Sequence, residues 1–451
     1  MNRLHGSSRL APGSLNRRAA LGLGGAAALA GLAPRTGRAQ ELAEITFAFG
    51  PDDTGTLQPL INLFNQLNEG RIRVIHQEMA RESNDFYLQI KSDFEVGAAD
   101  FDVIGADVIW TAEFAENGWV RDISSWFHNA YDPKAFVDAA LRSAVWQFSI
   151  YGVPWYTDAG LLFYRKDLLD EAGISAPPVT FDQLQEQART VMDQAGVPYG
   201  YVFQGAEYEG GVTNALEFIW NAGGRVMTGS VRFPTQLAQP SGEPNVIEVD
   251  NPEAAAGLDV ARRLIADGIA PEAVTTYREQ ETWEAFGAGD AVFMRNWPFA
   301  FGALTGEGGP LAPEQIGVAP LPVIGEGRRS YSCLGGWNLM INNASPQAEA
   351  AWEFIRFATA GEQQAARAMG GFLPTLKTLY EDPAITDAVP VVALGGEAVQ
   401  HARNRPESPL YGSMSPRIAR AFNRVLRGQV SGAEAVANLQ RELRTLLRRY
   451  G

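Results

Sequence analysis

The stretch Val153-Pro-Trp-Tyr-Thr-Asp-Ala-Gly-Leu-Leu-Phe-Tyr-Arg-Lys-Asp-Leu-Leu169 joins a polar, aromatic segment to a continuous apolar one. The apolar run 161–164 shows no polar alternation, which predicts a strand buried on both faces of a sheet. The segment before it contains Pro154, Tyr156 and Asp158. Such a segment predicts that the chain crosses here from one domain into another and places polar side chains in the space between the domains. Ligands of α/β proteins favour such gaps. The stretch therefore predicts a two-domain α/β protein with a ligand site at the crossing.

The length and charge of the chain limit its class of function. Its 451 residues suggest two domains of roughly 150–250 residues each. The formal charge is −15, and removing residues 1–39, which hold six Arg and no acidic residue, leaves 31 basic against 52 acidic residues, or −21. Such a surface repels nucleic acid and anionic lipid. We therefore expect a soluble protein with a neutral or cationic ligand and no nucleic-acid partner.

Sequence patterns typical of metal sites and of enzymes do not occur. The four His match no metal-ligand spacing, and Cys333 alone cannot form an internal disulfide. There is no nucleophile elbow, phosphate-binding Gly loop or His-Glu-x-x-His motif. We expect no enzymatic activity, metal or cofactor. The carboxylate pairs Glu207/Glu209 and Glu279/Glu281 leave a glycosidase as an alternative, because glycosidases place two carboxylates on either side of a sugar.

Residues 1–39 have the features of an export signal. Arg17 and Arg18 precede a weakly apolar run over residues 19–33, and a small-residue site ends at Ala39. Paired arginines before a soft apolar core resemble a twin-arginine signal. An amphipathic N-terminal helix is the alternative, but the segment has no polar face. We expect cleavage near Ala39 and a mature protein free in the periplasm.

The first part of the mature chain alternates between strand and helix patterns. Residues 44–117 predict the order βαβαβ, which implies a parallel sheet with helices on both faces. The third strand, 101–107, ends in Asp107, and ligands bind at the carboxyl ends of such strands. A turn or helix-cap role for Asp107 is the alternative. Further on, the residues Thr180 and Gln183 predict a capping box that opens a helix.

Aromatic residues beside Gly or Pro recur at expected strand ends, near a carboxylate or an Arg. Sugars have C–H patches that pack on aromatic faces, and hydroxyls that need charged or amide partners. A single Trp is more often core than ligand platform, but several such sites in one chain favour sugar binding. The segments are 155–158, 204–209, 296–298, 335–337 and 405–406.

Five longer motifs lie between residues 204 and 411. They are Gln204-Gly205 with Tyr208-Glu209-Gly210, Phe293-Met-Arg-Asn-Trp-Pro298, Val318-Ala-Pro-Leu-Pro322, Leu334-Gly-Gly-Trp337, and Arg405-Pro406 with Ser408-Pro-Leu-Tyr411. Together with the crossing segment they resemble the trehalose/maltose-binding branch of the extracellular (family 1) solute-binding proteins, which serve ABC sugar importers. The combination is specific, although each motif alone is short.

This resemblance implies a sugar site. Tyr156 and Asp158 would contact the sugar from the crossing, with Asp107 reaching from the first lobe. Trp297 would be the stacking platform, and Arg405 would clamp hydroxyls from the opposite side. The other implied contacts are Arg81, Glu279, Gly335, Gly336 and Trp337. The segment 80–85 departs from the Arg-rich pattern of this branch, and Glu281 stands two residues after Glu279, so the exact disaccharide and the acidic contact stay open.

The resemblance also implies the two-lobe periplasmic binding protein fold (type II), with a mostly parallel sheet flanked by helices in each lobe. We expect lobe 1 to comprise residues 41–152 and 335–378, and lobe 2 residues 157–332 and 381–451. The crossings are expected near residues 152–157, 330–335 and 375–381.

The implied mechanism is physical rather than catalytic. Hinge closure over a disaccharide would present a shape that ABC permease subunits recognise, with the protein itself a monomer. Two alternatives remain. The same scaffold could bind a non-sugar polar solute, or the chain could be a secreted carbohydrate-active enzyme.

Overall fold

A computed structural model describes residues 42–51, 54–228, 246–306 and 308–450. The expected export signal, 1–39, lies outside these residues. The strands are β1 (Ala43–Phe49), β2 (Ile72–Glu78), β3 (Val103–Asp107), β4 (Val145–Trp146), β5 (Ser149–Ile150), β6 (Gly152–Ala159), β7 (Leu161–Arg165), β8 (Tyr199–Val202), β9 (Met227–Thr228), β10 (Val246–Ile247), β11 (Ala291–Asn296), β12 (Ile316–Ala319) and β13 (Leu334–Ile341).

Helices account for most of the remaining described chain. They are α1 (Leu57–Leu67), α2 (Ser83–Glu95), α3 (Thr111–Glu116), α4 (Ser124–Ala130), α5 (Asp138–Ser143), α6 (Lys166–Glu171), α7 (Phe181–Ala195), α8 (Glu209–Asn221), α9 (Pro252–Ala266), α10 (Glu279–Gly287), α11 (Phe299–Thr305), α12 (Ala348–Ala358), α13 (Gly361–Ala368), α14 (Pro383–Thr386), α15 (Pro390–Gln400), α16 (Tyr411–Leu426) and α17 (Gly432–Tyr450). None of them, in the part of the chain that the structure covers, is long and apolar enough to cross a membrane.

Two larger sheets organise the described chain. The first sheet has the order β2-β1-β3-β13-β6, and the second has the order β12-β7-β11-β8. In the first, β1 is parallel to β2 and β3, whereas β13 is antiparallel to both its neighbours. In the second, β7 is antiparallel to β11 and β12, and β11 is parallel to β8. In each sheet all strands but one therefore run in the same direction, and that strand lies between two neighbours to which it is antiparallel.

Each sheet is covered by its own apolar core. In α1, the buried residues Leu57, Leu60, Ile61 and Phe64 recur at helical spacing and form one face. Phe64 packs against Phe354 of α12 with ring centroids 5.2 Å apart. The second core lies around the second sheet and includes buried residues of α8, α9, α16 and α17. Two sheets with separate cores are what a two-lobe α/β fold requires.

Local capping signals in the sequence also appear in the structure. The Gln183 backbone N donates to Thr180 Oγ1 at 3.2 Å, and the Gln183 side chain accepts from the backbone N of Val179 at 2.9 Å. Helix α7 then ends at Gly196, whose φ of 69° lies in the left-handed region that glycine adopts without strain. The predicted capping box is thus present, except that the Gln183 side chain accepts from the backbone N of Val179 instead of that of Thr180.

The chain passes from the first sheet to the second at Gly160, the one residue between β6 and β7. A crossing was expected near residues 152–157, and in the structure those residues belong to β6, directly before Gly160 and β7. Pro154 has no N–H to donate, but β6 lies at the edge of its sheet, where proline is tolerated. The ladder with β13 is also irregular there, since Trp337 pairs with Tyr156 and the next residue pairs with Pro154.

A buried ion pair explains why the crossing residue is a glycine. Arg295 donates to Glu217 twice, through Nη2 at 2.7 Å and through Nε at 2.8 Å. A Cβ on Gly160 would lie 2.0 Å from Glu217 Oε1. The segment that leads from the second sheet back to the first, between β12 and β13, also contacts this ion pair and Gly160. Cys333 N donates to Glu217 Oε1 at 3.0 Å, and Ser332 Oγ donates to the Gly160 carbonyl at 2.6 Å. Arg295 and Glu217, here called the crossing pair, therefore contact both connections between the sheets.

Candidate functional site

A cavity of about 200 Å³ is lined by residues that end or follow strands of both sheets. Every site residue predicted from the sequence lines it, although these residues come from distant parts of the chain. They are Arg81, Asp107, Tyr156, Asp158, Glu279, Trp297, Gly335, Gly336, Trp337 and Arg405. The fold thus brings the ten predicted residues around one space.

The Asp107 carboxylate is fixed by three donors. Its Oδ1 accepts from Arg405 Nη2 at 3.1 Å and from the backbone N of Ile109 at 3.2 Å. Its Oδ2 accepts from Ser83 Oγ at 2.8 Å. The turn role and the cavity role considered for Asp107 are compatible, because it binds its own turn and also lines the cavity.

The buried Arg405 guanidinium joins two protein carboxylates. Nη1 donates to Glu209 Oε1 at 2.8 Å, and Nη2 donates to Asp107. Glu209 begins α8 beside the second sheet, whereas Asp107 ends β3 of the first. Glu209 also accepts from Tyr411 Oη and from Ser415 Oγ, the latter at 2.5 Å. The sequence predicted an arginine that clamps ligand hydroxyls, but the structure uses both Nη atoms to connect the two halves of the cavity.

Glu279 contributes the acidic group on the side of the second sheet. Tyr208 Oη donates to its Oε2 at 2.6 Å, and Trp297 Nε1 donates to its Oε1 at 3.2 Å. Glu281 is used differently, because its Oε2 accepts from the backbone N of Arg278 at 2.8 Å and caps α10. The structure therefore places Glu279, and not Glu281, at the cavity.

Trp297 lines the cavity on the side of the second sheet. The Arg295 guanidinium carbon lies 4.0 Å from its ring centroid, which covers one face by a cation–π contact. Gly335 leaves room for the ring, since a Cβ there would lie 3.1 Å from Trp297 Cζ3. Gly336 has a φ of 123°, and a Cβ on it would lie 2.6 Å from the Tyr156 carbonyl oxygen. Both glycines are needed for this backbone path.

Trp337 lines the cavity from within an aromatic cluster. Its ring stacks on Phe86 at a centroid distance of 5.7 Å and meets Trp110 and Phe49 edge to face. Tyr156, also at the cavity, contacts Phe372 with ring centroids 4.6 Å apart. These aromatics are therefore partly core and partly cavity wall, which limits how much of each ring a ligand can cover.

Asp158 differs from the other carboxylates at the cavity. Its side chain is buried, and within the described residues its Oδ1 has no hydrogen-bond partner. Burial, and next the charge of Asp107, raises the pKa of Asp158 well above its usual range. Three arginines act in the opposite direction without donating to that oxygen: Arg295, Arg367 and Arg405.

The start of α2 contacts the second half of the molecule at two points. The Glu209 backbone N donates to Asn84 Oδ1 at 2.9 Å, and Arg278 lies 3.5 Å from Glu82. Burial, and next the charge of Glu279, raises the pKa of Glu82 to about 7, while Arg278 lowers it. The structure is therefore that of a cavity closed by contacts between its two sides.

Sequence reasoning missed several residues that line the cavity. They include Glu82, Ser83, Tyr208, Glu209, Trp283 and Phe372. Tyr208 and Glu209 belong to the motif that begins at Gln204, so the sequence did contain a pattern that could have predicted their place at the cavity. Phe372 follows α13, far from every motif, and nothing in the sequence marked it.

The carboxylate pairs that suggested a glycosidase do not act as pairs. Glu207 is exposed and lies 4.0 Å from Arg420, whereas Glu209 is buried at the cavity. Glu279 likewise lines the cavity, whereas Glu281 caps α10. Among the described residues no group of three or more His, Cys, Asp or Glu could hold a metal ion. Cys333 is buried and its thiol pKa is raised by burial, so the thiolate is disfavoured.

Two mostly parallel sheets, joined by crossings beside a shared cavity, define a two-lobe α/β binding protein. The chain belongs to the bacterial extracellular solute-binding protein family, whose model matches residues 50–365. A probable ABC transporter-binding protein of Deinococcus radiodurans is 34% identical over 376 residues, which are 81% of this chain and 84% of that relative.

Two proteins whose names include a sugar ligand are also similar to this chain. The solved structure of maltose-bound T. maritima MalE3 has a TM-score of 0.81 and 36% identity, and the match covers 90% of this chain and 100% of that one. A maltotriose-binding protein of Pyrococcus abyssi is 27% identical over 325 residues, covering 70% of this chain and 64% of that relative.

Proposed function

We propose that this protein is the periplasmic substrate-binding receptor of an ABC transporter and that it binds a disaccharide or related sugar in the cavity between its sheets. The observation that carries the proposal is the meeting of aromatic rings and carboxylates from both sheets around one cavity. Such a lining suits a molecule with C–H faces and many hydroxyls. Family membership and the names of the sugar-binding relatives support the same conclusion.

The size of the cavity fits a small sugar. A cavity needs about 10–15 Å³ of such volume to hold a single water, so a cavity of about 200 Å³ has room for a ligand much larger than one water. A long oligosaccharide would need a larger space or an open end.

The proposed mechanism is ligand-stabilised closure. A sugar that touches Asp107 and Trp337 on one side and Trp297 and Glu279 on the other gains its full set of contacts only when the two sides are close. We infer two lobes that follow the two sheets, with boundaries at Gly160, between β12 and β13, and between α13 and α14, because the helices after α13 pack in the core of the second sheet. The closed form would be recognised by the permease, and the receptor would act as an exported monomer without catalysis.

The test is calorimetric titration of the protein lacking residues 1–39 with trehalose, maltose, sucrose and single hexoses. We expect saturable one-to-one binding of a disaccharide, weakened roughly tenfold or more by Trp297→Ala because the stacking face is lost. Glu279→Gln should also weaken binding, whereas Glu281→Gln, two residues away, should not. Absence of heat with every sugar, from protein shown to be folded and free of carried-over ligand, would refute the proposal.

A further inference from the structure

We propose that a backbone contact between Gly302 and Gly370 sets how far the two lobes close, and that Gly302 is a positioning residue for ligand binding although it does not line the cavity. The inference rests on the proposed function and deepens it, because it assigns control of ligand affinity to a place outside the cavity. It is carried by the distances between backbone segments of the two lobes.

The two sides of this contact belong to different lobes. Gly302 lies in α11, the helix that follows β11 of the second sheet. Gly370 and Gly371 form the turn that follows α13. A Cβ on Gly370 would lie 3.0 Å from Thr56 Cγ2, just before α1, so this turn packs on the lobe of the first sheet. The contact of Gly302 with the turn, here called the closure contact, therefore joins the two lobes.

The closure contact leaves no room for a side chain at Gly302. A Cβ there would lie 2.8 Å from the Gly370 carbonyl oxygen. A carbonyl oxygen is part of the backbone and cannot rotate away as the end of a side chain can. A substitution at Gly302 therefore has to move the two segments apart. Gly371 has a φ of 91°, at which other residues are strained, so Gly302 is the position that tests the contact alone.

Two aromatic residues connect the closure contact with the cavity. Phe299 lies three residues before Gly302, Phe372 directly follows Gly371, and both rings line the cavity. Phe299 also packs against the cores of both lobes. Hydrogen bonds need donor–acceptor distances of about 2.7–3.2 Å, so a ligand between lobes that are held apart cannot satisfy both sides at once. The closure contact therefore determines the geometry of the site.

Other contacts between the lobes involve the ends of side chains. A Cβ on Gly412, in α16 of the second lobe, would lie 2.9 Å from Tyr87 Oη and 3.1 Å from Glu113 Oε2 of the first lobe. Asn84 reaches the second lobe through its side-chain oxygen. Such ends can turn aside by a rotamer change. The closure contact, with backbone on both sides, cannot adapt in this way.

The experiment compares three glycine-to-alanine variants with the wild type. Gly302→Ala tests the closure contact, and Gly412→Ala places a Cβ against side chains that can move. Gly361→Ala is the control, because its Cβ would lie 3.8 Å from Leu376 Cδ1 with no closer neighbour. Affinity for trehalose, maltose and sucrose is measured by calorimetry, and the rate constants of binding are measured by stopped-flow tryptophan fluorescence.

We expect Gly302→Ala to bind the sugar about tenfold more weakly. The loss should appear as faster dissociation with an unchanged association rate constant, because the first encounter takes place while the lobes are open. Alanine favours a helix more than glycine does, so the unfolding midpoint of the ligand-free variant should be unchanged or higher. Gly412→Ala should lose less than about threefold in affinity, and Gly361→Ala should bind like the wild type.

A purely structural role of Gly302 would lower the unfolding midpoint and affinity together, and that result would overturn the inference. So would a loss of affinity that lies in the association rate constant, or one no larger than that of Gly412→Ala. Failure of the wild type to bind any of the three sugars would overturn the proposed function and this inference with it. Equal binding by the wild type and Gly302→Ala would overturn only this inference.

Discussion

Arg295 and Arg405 are both buried guanidiniums beside the cavity, yet they are paired in different ways. Arg295 binds one carboxylate, Glu217, through two hydrogen bonds, and both partners lie in the core of the second sheet or in the sheet itself. Arg405 binds two carboxylates, Glu209 and Asp107, which come from opposite halves. One arginine thus forms a complete pair inside one half, and the other connects two halves while leaving its Nε without a partner in the described residues.

This difference separates a structural role from a functional one. The crossing pair contacts both connections between the sheets and does not need the cavity to be closed. The Arg405 bridge exists only when Asp107 and Glu209 are near each other, so its energy depends on the relative position of the halves. An ion pair between the two halves is lost when the halves move apart. An ion pair within one half is kept during that movement.

The largest effect should follow from breaking the crossing pair. Arg295→Ala leaves Glu217 buried without its counter-charge, which should lower the free energy of unfolding by about 3–5 kcal/mol. Denaturant unfolding of the ligand-free protein measures this loss. As a reference, Thr180→Ala removes only a helix cap remote from both arginines and should cost about 1 kcal/mol. Equal losses in the two variants would show that the crossing pair is not a structural anchor.

A smaller loss of stability, but a clearer loss of ligand affinity, is expected for Arg405→Gln. Glu209 keeps Tyr411 and Ser415 as donors, and Asp107 keeps Ser83, so neither carboxylate becomes isolated. We expect about 2–3 kcal/mol in unfolding and roughly tenfold weaker disaccharide binding, because the bridge that favours the closed form is gone. Unfolding and calorimetry on the same preparation check both values. Unchanged affinity would contradict the assignment of Arg405 to closure.

The third effect appears only as the pH changes and concerns Glu82, which faces Arg278, Glu279 and Asp85 at the edge of the cavity. Its folded-state pKa of about 7 lies above the ordinary value of about 4.3, so the folded protein binds more protons between these limits. The free energy of unfolding should therefore fall as the pH rises from about 4.5 to 7. Melting temperatures at pH 5 and pH 8 should show the wild type losing stability relative to Glu82→Gln. Parallel pH profiles for the two proteins would contradict this contribution.

The sequence was most informative where local patterns determine structure. The predicted strand 161–164 lies within β7, and the predicted strand 101–107 ends at Asp107 as β3 does, because a continuous apolar run is a local feature. The predicted site residues also line one cavity, since polar and aromatic residues at strand ends meet at the edge of a sheet. Their binding of a ligand remains a prediction.

The sequence could not show which side chains that are far apart in the chain form ion pairs. Arg405 lies 196 residues from Glu209 and 298 residues from Asp107, so no local pattern could show that these carboxylates occupy its guanidinium. The sequence alone also could not show that Pro154 lies inside a strand, because proline indicates a break in most strands, whereas an edge strand with an irregular ladder accommodates it. The distinction between Glu279 and Glu281 likewise depended on where α10 begins.

The strand order of the first sheet has a consequence for the time course of folding. Strand β13, the last in the described sequence, lies between β3 and β6, which precede it by about 175 residues or more. Until the ribosome has delivered β13, those two strands keep unpaired edges, which are prone to wrong pairing. The first sheet cannot finish folding before Ile341 of the 451 residues has been made, so it cannot mature ahead of the second sheet, whose strands all precede β13.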